Sequence, residues 1–174
     1  MNTVIAAPSV EDADELAYIG AISFLESHQT SASPEDISTY IRNNYTSEKF
    51  VANITNSQVR MLVARVDGKI AGYSKIIPDT IHEAIHSERS CKMERLYVLG
   101  EFLHLRIGQL LFDENVKIAN TLQQSGLWLN VWTGNARAIR FYQKQGFEKA
   151  GDTYFRISAT HQNPNFLMWL SLPK

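Results

Sequence analysis

A single cysteine, Cys91, stands among the 174 residues. No internal disulfide can form, and a reducing compartment, the cytoplasm, is the expected setting. Charge of one sign is lacking too: seventeen lysines and arginines face eighteen aspartates and glutamates, a net charge of −1. That balance leaves no electrostatic footprint for nucleic acid, and no run of like charge marks a tail. No apolar stretch approaches the ~20 residues that cross a bilayer. MNTVIAAPSVEDADE has no basic segment leading into an apolar one, so neither a membrane nor a secretory signal is expected. Repeats, low-complexity tracts and linkers are missing as well. What remains, 44% hydrophobic and 20% charged, fits one globular domain over residues 1–174.

The apolar pattern divides the chain into alternating elements. TVIAAPS (3–9) reads as a strand. The segment 10–27 reads as a helix with Leu16, Ile19, Ile22 and Leu25 on its apolar side. A second helix is expected over 33–45, with Ser33 as cap, Pro34 at the first position and Asp36 closing a capping box. EKFVANIT (48–55) adds a helical turn or two. QVRMLVARVDGKIAGYSKIIP (58–78) is a hairpin turning at Asp67-Gly68. CKMERLYVL (91–99) is a strand, 106–126 a long helix closed by Gly126, and LWLNVW (127–132) a strand. NARAIRFYQKQG (135–146) is a helix capped by Asn135 and closed by Gly146. Two final strands cover 147–158 and 165–172. Strand-helix-strand in the middle predicts parallel pairing of 91–99 with 127–132, flanked by antiparallel hairpins, in a mixed α/β (α+β) domain.

Two stretches carry a family resemblance. LYVLGEFLHLRIGQLL and, further on, NARAIRFYQKQGF resemble the GCN5-related N-acetyltransferase (GNAT) superfamily. In that family a strand ending in a Y-V type pair leads into a loop of pattern Q/R-x-x-G-x-G/A, which binds the pyrophosphate of acetyl-CoA at a helix N-terminus. A later N-x-x-A-x-x-F/Y-Y-x-x-x-G-F helix completes the site. Asn135, Ala138, Phe141, Tyr142, Gly146 and Phe147 match the second motif. In the loop Leu103 stands at the Q/R position and Arg106 at the first glycine position, while Gly108 matches. The SPEDISTYI, MERLYV, LWLNVW and NFLMWL segments are similar to bacterial spermidine/spermine (polyamine) N-acetyltransferases.

The resemblance implies a central sheet of about seven strands with a parallel central pair and flanking helices. It implies acetyl-CoA as cosubstrate, bound by Leu96, Tyr97, Val98, His104, Leu105, Arg106, Ile107, Gly108, Gln109, Asn135 and Tyr142. It also implies direct transfer, in a ternary complex, of an acetyl group to a primary amine of a small molecule, a polyamine being the favoured acceptor class; a homodimer is a possible assembly. If Arg106 takes a positive φ, the cost is about 1 kcal/mol. Its side chain then either meets phosphate or points to solvent.

Amide formation from a thioester needs a neutral amine, a stabilised oxyanion and a proton for the departing thiolate. A primary amine is neutral about once in 10³ at pH 7, worth about 4–5 kcal/mol, so a carboxylate that takes its proton helps. Glu94 matches the strand glutamate that serves as base in polyamine-acetylating relatives. On a regular strand it shares a face with Leu96 and Val98, opposite Met93, Arg95 and Tyr97; the alternative is an ion pair with a neighbouring lysine or arginine. Asn135, Ile139 and Tyr142 fall on one helical stripe. Tyr142 is the candidate acid for the thiolate, or else a buried phenol bonded to backbone. A backbone N–H near Val98 is the oxyanion donor that the resemblance implies.

Other signals point elsewhere. HEAIH (82–86) fits the H-E-x-x-H zinc pattern through His82, Glu83 and His86, on a segment about two turns long with no third ligand in view, so no metal is expected. Cys91 reads as a buried strand residue. Arg137, Arg140 and Lys144 project opposite Ile139 and Tyr142 and read as a solvent face. Trp128 and Trp132 read as core or interface; Phe24, Tyr40, Tyr45 and Tyr73 either line an acceptor pocket or belong to the core. Glu26, Glu35 and Asp36 are acids available to a polycation. Two rival functions stand beside the enzyme: a non-catalytic acyl-CoA-binding or regulatory module on the same fold, and a zinc hydrolase.

Overall fold

A computed structural model describes residues 2–173. Its elements are β1 (Thr3–Ala6), α1 (Ala13–His28), α2 (Pro34–Asn44), α3 (Ser47–Thr55), β2 (Arg60–Val66), β3 (Lys69–Ile77), β4 (Ser90–Val98), α4 (Ile107–Thr121), β5 (Gly126–Trp132), α5 (Ala136–Lys144), β6 (Glu148–Arg156) and β7 (Gln162–Ser171), with 3-10 turns at Val10–Asp12 and Gly100–Leu105. The seven strands among the described residues form one sheet in the order β1-β2-β3-β4-β5-β7-β6. β4 and β5 run parallel, and every other neighbouring pair is antiparallel.

Local chemistry sets the boundaries. Ser33 Oγ accepts from the Asp36 N–H at 3.1 Å and donates to Asp36 Oδ2 at 2.9 Å, with Pro34 at the first position of α2. Such a cap is worth about 1 kcal/mol. Asp67 and Gly68 carry φ of 48° and 87° at the β2–β3 turn, as a tight hairpin requires. The end of α4 differs from expectation. The left-handed residue there is Gln123, at φ 53°, and Gly126 opens β5. A Cβ at Gly126 would stand 2.2 Å from Trp169 and 2.3 Å from the Leu170 carbonyl oxygen, so glycine serves the close approach of β7 rather than a helix cap.

A hydrophobic layer fills each face of the sheet. On one side α1, α2 and α3 bury Leu16, Phe24, Ile37 and Phe50 against Tyr73. On the other, α4 buries Ile107, Leu111, Phe112 and Ala119 beneath strands β3, β4 and β5. In α1 the buried positions are Ala13, Leu16, Ala17, Ile19, Gly20, Ser23 and Phe24, while Leu25 is 45% exposed. A repeat of three drifts around a helix of 3.6 residues per turn, which is why the Leu16–Leu25 stripe does not stay inside.

β4 is not a regular strand. Lys75 pairs with Arg95 and Ile76 with Met93, which leaves Glu94 as an extra residue. The bulge reverses the alternation. Met93 and Leu96 therefore pack in the same layer, with α4, while Glu94 pairs with Lys75 and Lys92 instead of sharing the face of Leu96 and Val98.

Candidate active site

β4 and β5 stay paired only from Ser90 to Lys92, against Gly126 to Trp128. Beyond that point they diverge, and the bulge at Glu94 falls just past the last pair. A cleft of about 660 Å³ opens between them, under α1 and α2 on one side and beside α4 and α5 on the other. The register aims backbone into this gap. The Leu99 N–H donates to the Ala71 carbonyl at 3.0 Å, so along an antiparallel ladder the Tyr97 and Arg95 amides also face β3. The Leu96 and Val98 N–H groups then point towards the gap.

Most of the expected cofactor residues converge here. Leu96, Tyr97, Val98, Arg106, Gly108, Gln109, Asn135 and Tyr142 line the cleft. The side chains of His104, Leu105 and Ile107 do not. His104 is exposed, Leu105 packs against the core, and Ile107 is fully buried with Leu111 because α4 rests that face on the sheet. Arg106 sits at φ 59°, ψ 23° as the N-cap of α4. The first N–H groups of that helix lack intrahelical partners, and the helix dipole favours an anion in front of them. A Cβ at Gly108 would meet nothing closer than Val98 at 3.8 Å, so protein packing does not demand glycine there. Its small size leaves room in front of the helix.

The opposite wall is α5. Asn135 Oδ1 accepts from the Ala138 N–H at 3.0 Å and caps the helix. Gln109 and Gln145 exchange amide hydrogen bonds at 2.9 and 2.7 Å, tying α4 to the end of α5. Arg137 and Lys144 are exposed, as expected of a solvent face, yet both also reach the cleft. With Arg106 they make this rim cationic, which suits a polyphosphate.

Three ionisable groups define the chemistry. Tyr142 lines the cleft, and its hydroxyl bonds to no other described residue. Burial, followed by the neighbouring Tyr97, pushes its phenol above the usual value, so it is a proton carrier throughout the working range. Glu94 lies 2.6 Å from Lys75 Nζ and 3.4 Å from Lys92 Nζ. Burial would raise its carboxyl, but the Lys75 hydrogen bond and the charges of Lys75, Lys92 and Arg95 outweigh that and hold it below the ordinary range. Cys91 is fully buried, and burial pushes its thiol up to about 12, which removes it as a nucleophile.

The acceptor side is built by residues the sequence signalled weakly. Phe24 stacks on His28 at 4.4 Å and on Tyr40 at 4.8 Å, His28 lies 5.8 Å from Trp132, and Tyr40 meets Phe155 edge-on. Phe24, Tyr40, Tyr45 and Trp132 all line the cleft, whereas Tyr73 is fully buried. Burial lowers His28 to about 4, leaving it neutral. Arg95 lies with its guanidinium 4.8 Å over the Tyr45 ring. Lys75, Arg95, His28 and Gln145 belong to no motif, and no pattern in the chain marks the bulge that sets Lys75 opposite Arg95. Glu26, Glu35 and Asp36 stand outside the cleft lining, Glu26 accepting instead from the Gly100 N–H at 3.1 Å. HEAIH forms turns, not a helix. His82 Nδ1 accepts from the Ala84 N–H at 3.2 Å, so the two histidines lack the shared helical face that the zinc pattern needs.

A parted parallel strand pair, a glycine-bearing helix start and a cationic rim suit a phosphate-bearing ligand. The sequence profile of the acetyltransferase (GNAT) family matches residues 22–147, and the chain belongs to that family of N-acetyltransferases. It is 32% identical over 152 residues to an uncharacterised N-acetyltransferase of Mycobacterium tuberculosis, covering 87% of this chain and 93% of the relative. It is 30% identical over 159 residues to a spermidine N(1)-acetyltransferase of Thermoplasma acidophilum, covering 88% and 92%. The crystal structure of the PaiA N-acetyltransferase of T. acidophilum in complex with coenzyme A superposes with a TM-score of 0.81 at 26% identity, covering 99% of this chain and all of that one. No helix among the described residues is long and apolar enough to cross a membrane.

Proposed function

We propose that this chain transfers the acetyl group of acetyl-CoA directly to a primary amine of a small molecule, both substrates being bound together. The observation that carries the proposal is the cleft between β4 and β5. On one side the Val98 and Leu96 amides, the α4 N-terminus and Gly108 offer backbone to a cofactor; on the other an aromatic wall offers a place for an acceptor. Acetyl-CoA supplies the thioester. The α4 N-terminus and Arg106 hold its phosphates, and the Val98 N–H is the donor aimed at the thioester oxygen. Tyr142 gives its proton to the sulfur as the C–S bond breaks and the C–N bond forms.

Glu94 takes a narrower part than that of a free base. Held below the usual carboxylate range, it is a poor acceptor for a proton from an ammonium near 10.4. In this proposal it accepts a hydrogen bond from the incoming amine, or from water between them, while solvent takes the proton. A polyamine acceptor is supported by the name of the Thermoplasma relative; the charges around the cleft do not add to that support.

An amine panel with acetyl-CoA, following thiol release and product mass, tests the proposal. Acetylated amine with stoichiometric CoA is the expected result. Tight acetyl-CoA binding with no turnover on any amine would favour a non-catalytic acyl-CoA-binding module instead.

A further inference from the structure

The acceptor side of the cleft carries a charge pattern that a polycation does not match. Its only lining carboxylate among the described residues is Glu94, and both oxygens are engaged, by Lys75 at 2.6 Å and Lys92 at 3.4 Å. Arg95 is left over. Its guanidinium is half-buried, lies 4.8 Å over the Tyr45 ring and 5.9 Å from the Phe50 ring, and pairs with no carboxylate among the described residues. The phenols of Tyr45, Tyr73 and Tyr97 around Arg95 are pushed up by burial and bring no charge, and His28, lowered by burial, is neutral. Lys75, Lys92 and Arg95 therefore stand as three cations against one carboxylate.

A second ammonium on the acceptor would enter a positive field and find no free acid. A carboxylate would find a guanidinium without a carboxylate partner, held by the Tyr45 ring, whose planar fork can donate two parallel N–H bonds to its oxygens. The same cations disfavour the protonated form of a nearby amine. They would thus help supply the neutral nucleophile that the weak base Glu94 cannot. The aromatic wall of Phe24, Tyr40 and Trp132 offers its rings to the carbon skeleton.

We propose that the acceptor is an amine that also bears a carboxylate, as in an amino acid or a short peptide, and that Arg95 binds that carboxylate. This rests on the amine-acetylation reading above. The test compares amino acids with their own decarboxylated amines: phenylalanine with phenethylamine, and lysine with cadaverine, with spermidine alongside and a phenylalanyl dipeptide to separate free amino acid from peptide. In the wild type, kcat/KM for the carboxylate-bearing acceptor should exceed that of its partner by about 10- to 100-fold. Arg95→Gln should bring the ratio towards one, with Arg95→Lys between, while acetyl-CoA affinity shows that each variant is folded. Preference for cadaverine or spermidine, or an equal loss on both members of a pair in Arg95→Gln, would overturn the inference. If no amine turns over, acetyl transfer itself fails, yet calorimetric titration of phenylalanine into the CoA-bound protein still reads the site. Binding that Arg95→Gln abolishes supports it; no binding by the wild type contradicts it.

Discussion

The wall of the cleft formed by β4, α4 and α5 works largely through backbone, whereas the wall under α1 and α2 works through side chains. On the first, the Leu96 and Val98 amides, the α4 N-terminus and the space at Gly108 are products of register and helix placement. They tolerate Arg106 in a glycine's place because every residue but proline has an N–H, and left-handed φ costs only about 1 kcal/mol. On the second, Arg95 of β4, His28 of α1, Trp132 of β5 and Tyr45, just past α2, come together, so the proposed choice of acceptor rests on side chains. A shared cofactor can keep the first wall while the second varies with the acceptor.

Substitutions on the two walls should separate accordingly. The largest effect is expected at Tyr142: Tyr142→Phe should lower kcat by about 10²- to 10³-fold, with the acetyl-CoA dissociation constant within about twofold, as steady-state kinetics and calorimetry would register. Glu94→Gln comes next. It leaves Lys75, 8% exposed, without its partner, and should cost about 2 kcal/mol of stability in a urea melt. Exchanging both residues for apolar ones should recover most of that loss. Because Glu94 is already ionised well below neutrality, the pH–rate profile above about pH 6 should not move; a marked shift would return Glu94 to the role of base.

Gly108→Ala sharpens the distinction between packing and cofactor room. The added methyl meets only ordinary contacts within the protein, so stability should hold or rise by up to about 1 kcal/mol, while KM for acetyl-CoA rises about tenfold. The smallest effect is the acid dependence of the acceptor wall. His28 titrates near 4 in the fold against 6.5 when exposed. The unfolded chain therefore binds the extra proton between those values, and the stability His28 contributes is present above 6.5 and lost as pH falls towards 4. His28→Gln should flatten that part of a stability–pH curve, and thermal melts at stepped pH would show it.

The contrast between the walls also explains what the sequence could tell. The βαβ core, the Ser33 and Asn135 caps, the Asp67-Gly68 turn and the match at Asn135 to Phe147 are local patterns, and their geometry follows from neighbours in the chain. The Glu94 bulge was not legible, because it depends on how β3 meets β4; missing it reversed the face assigned to Glu94 and hid Lys75 and Arg95. Gly126 looked like a helix cap, since close approach of Trp169 comes from a strand far along the sequence. His104, Leu105 and Ile107 followed the motif's numbering, but side-chain direction on α4 sends Ile107 inward.

The central claim is that acetyl passes in one step between two substrates lodged together in this cleft, with Cys91 taking no part. Initial velocities measured over a grid of acetyl-CoA and amine concentrations test it most directly. Intersecting double-reciprocal lines, with no acetyl group retained on the chain by mass spectrometry, are the predicted result. Parallel lines, with acetyl trapped on Cys91, would contradict it.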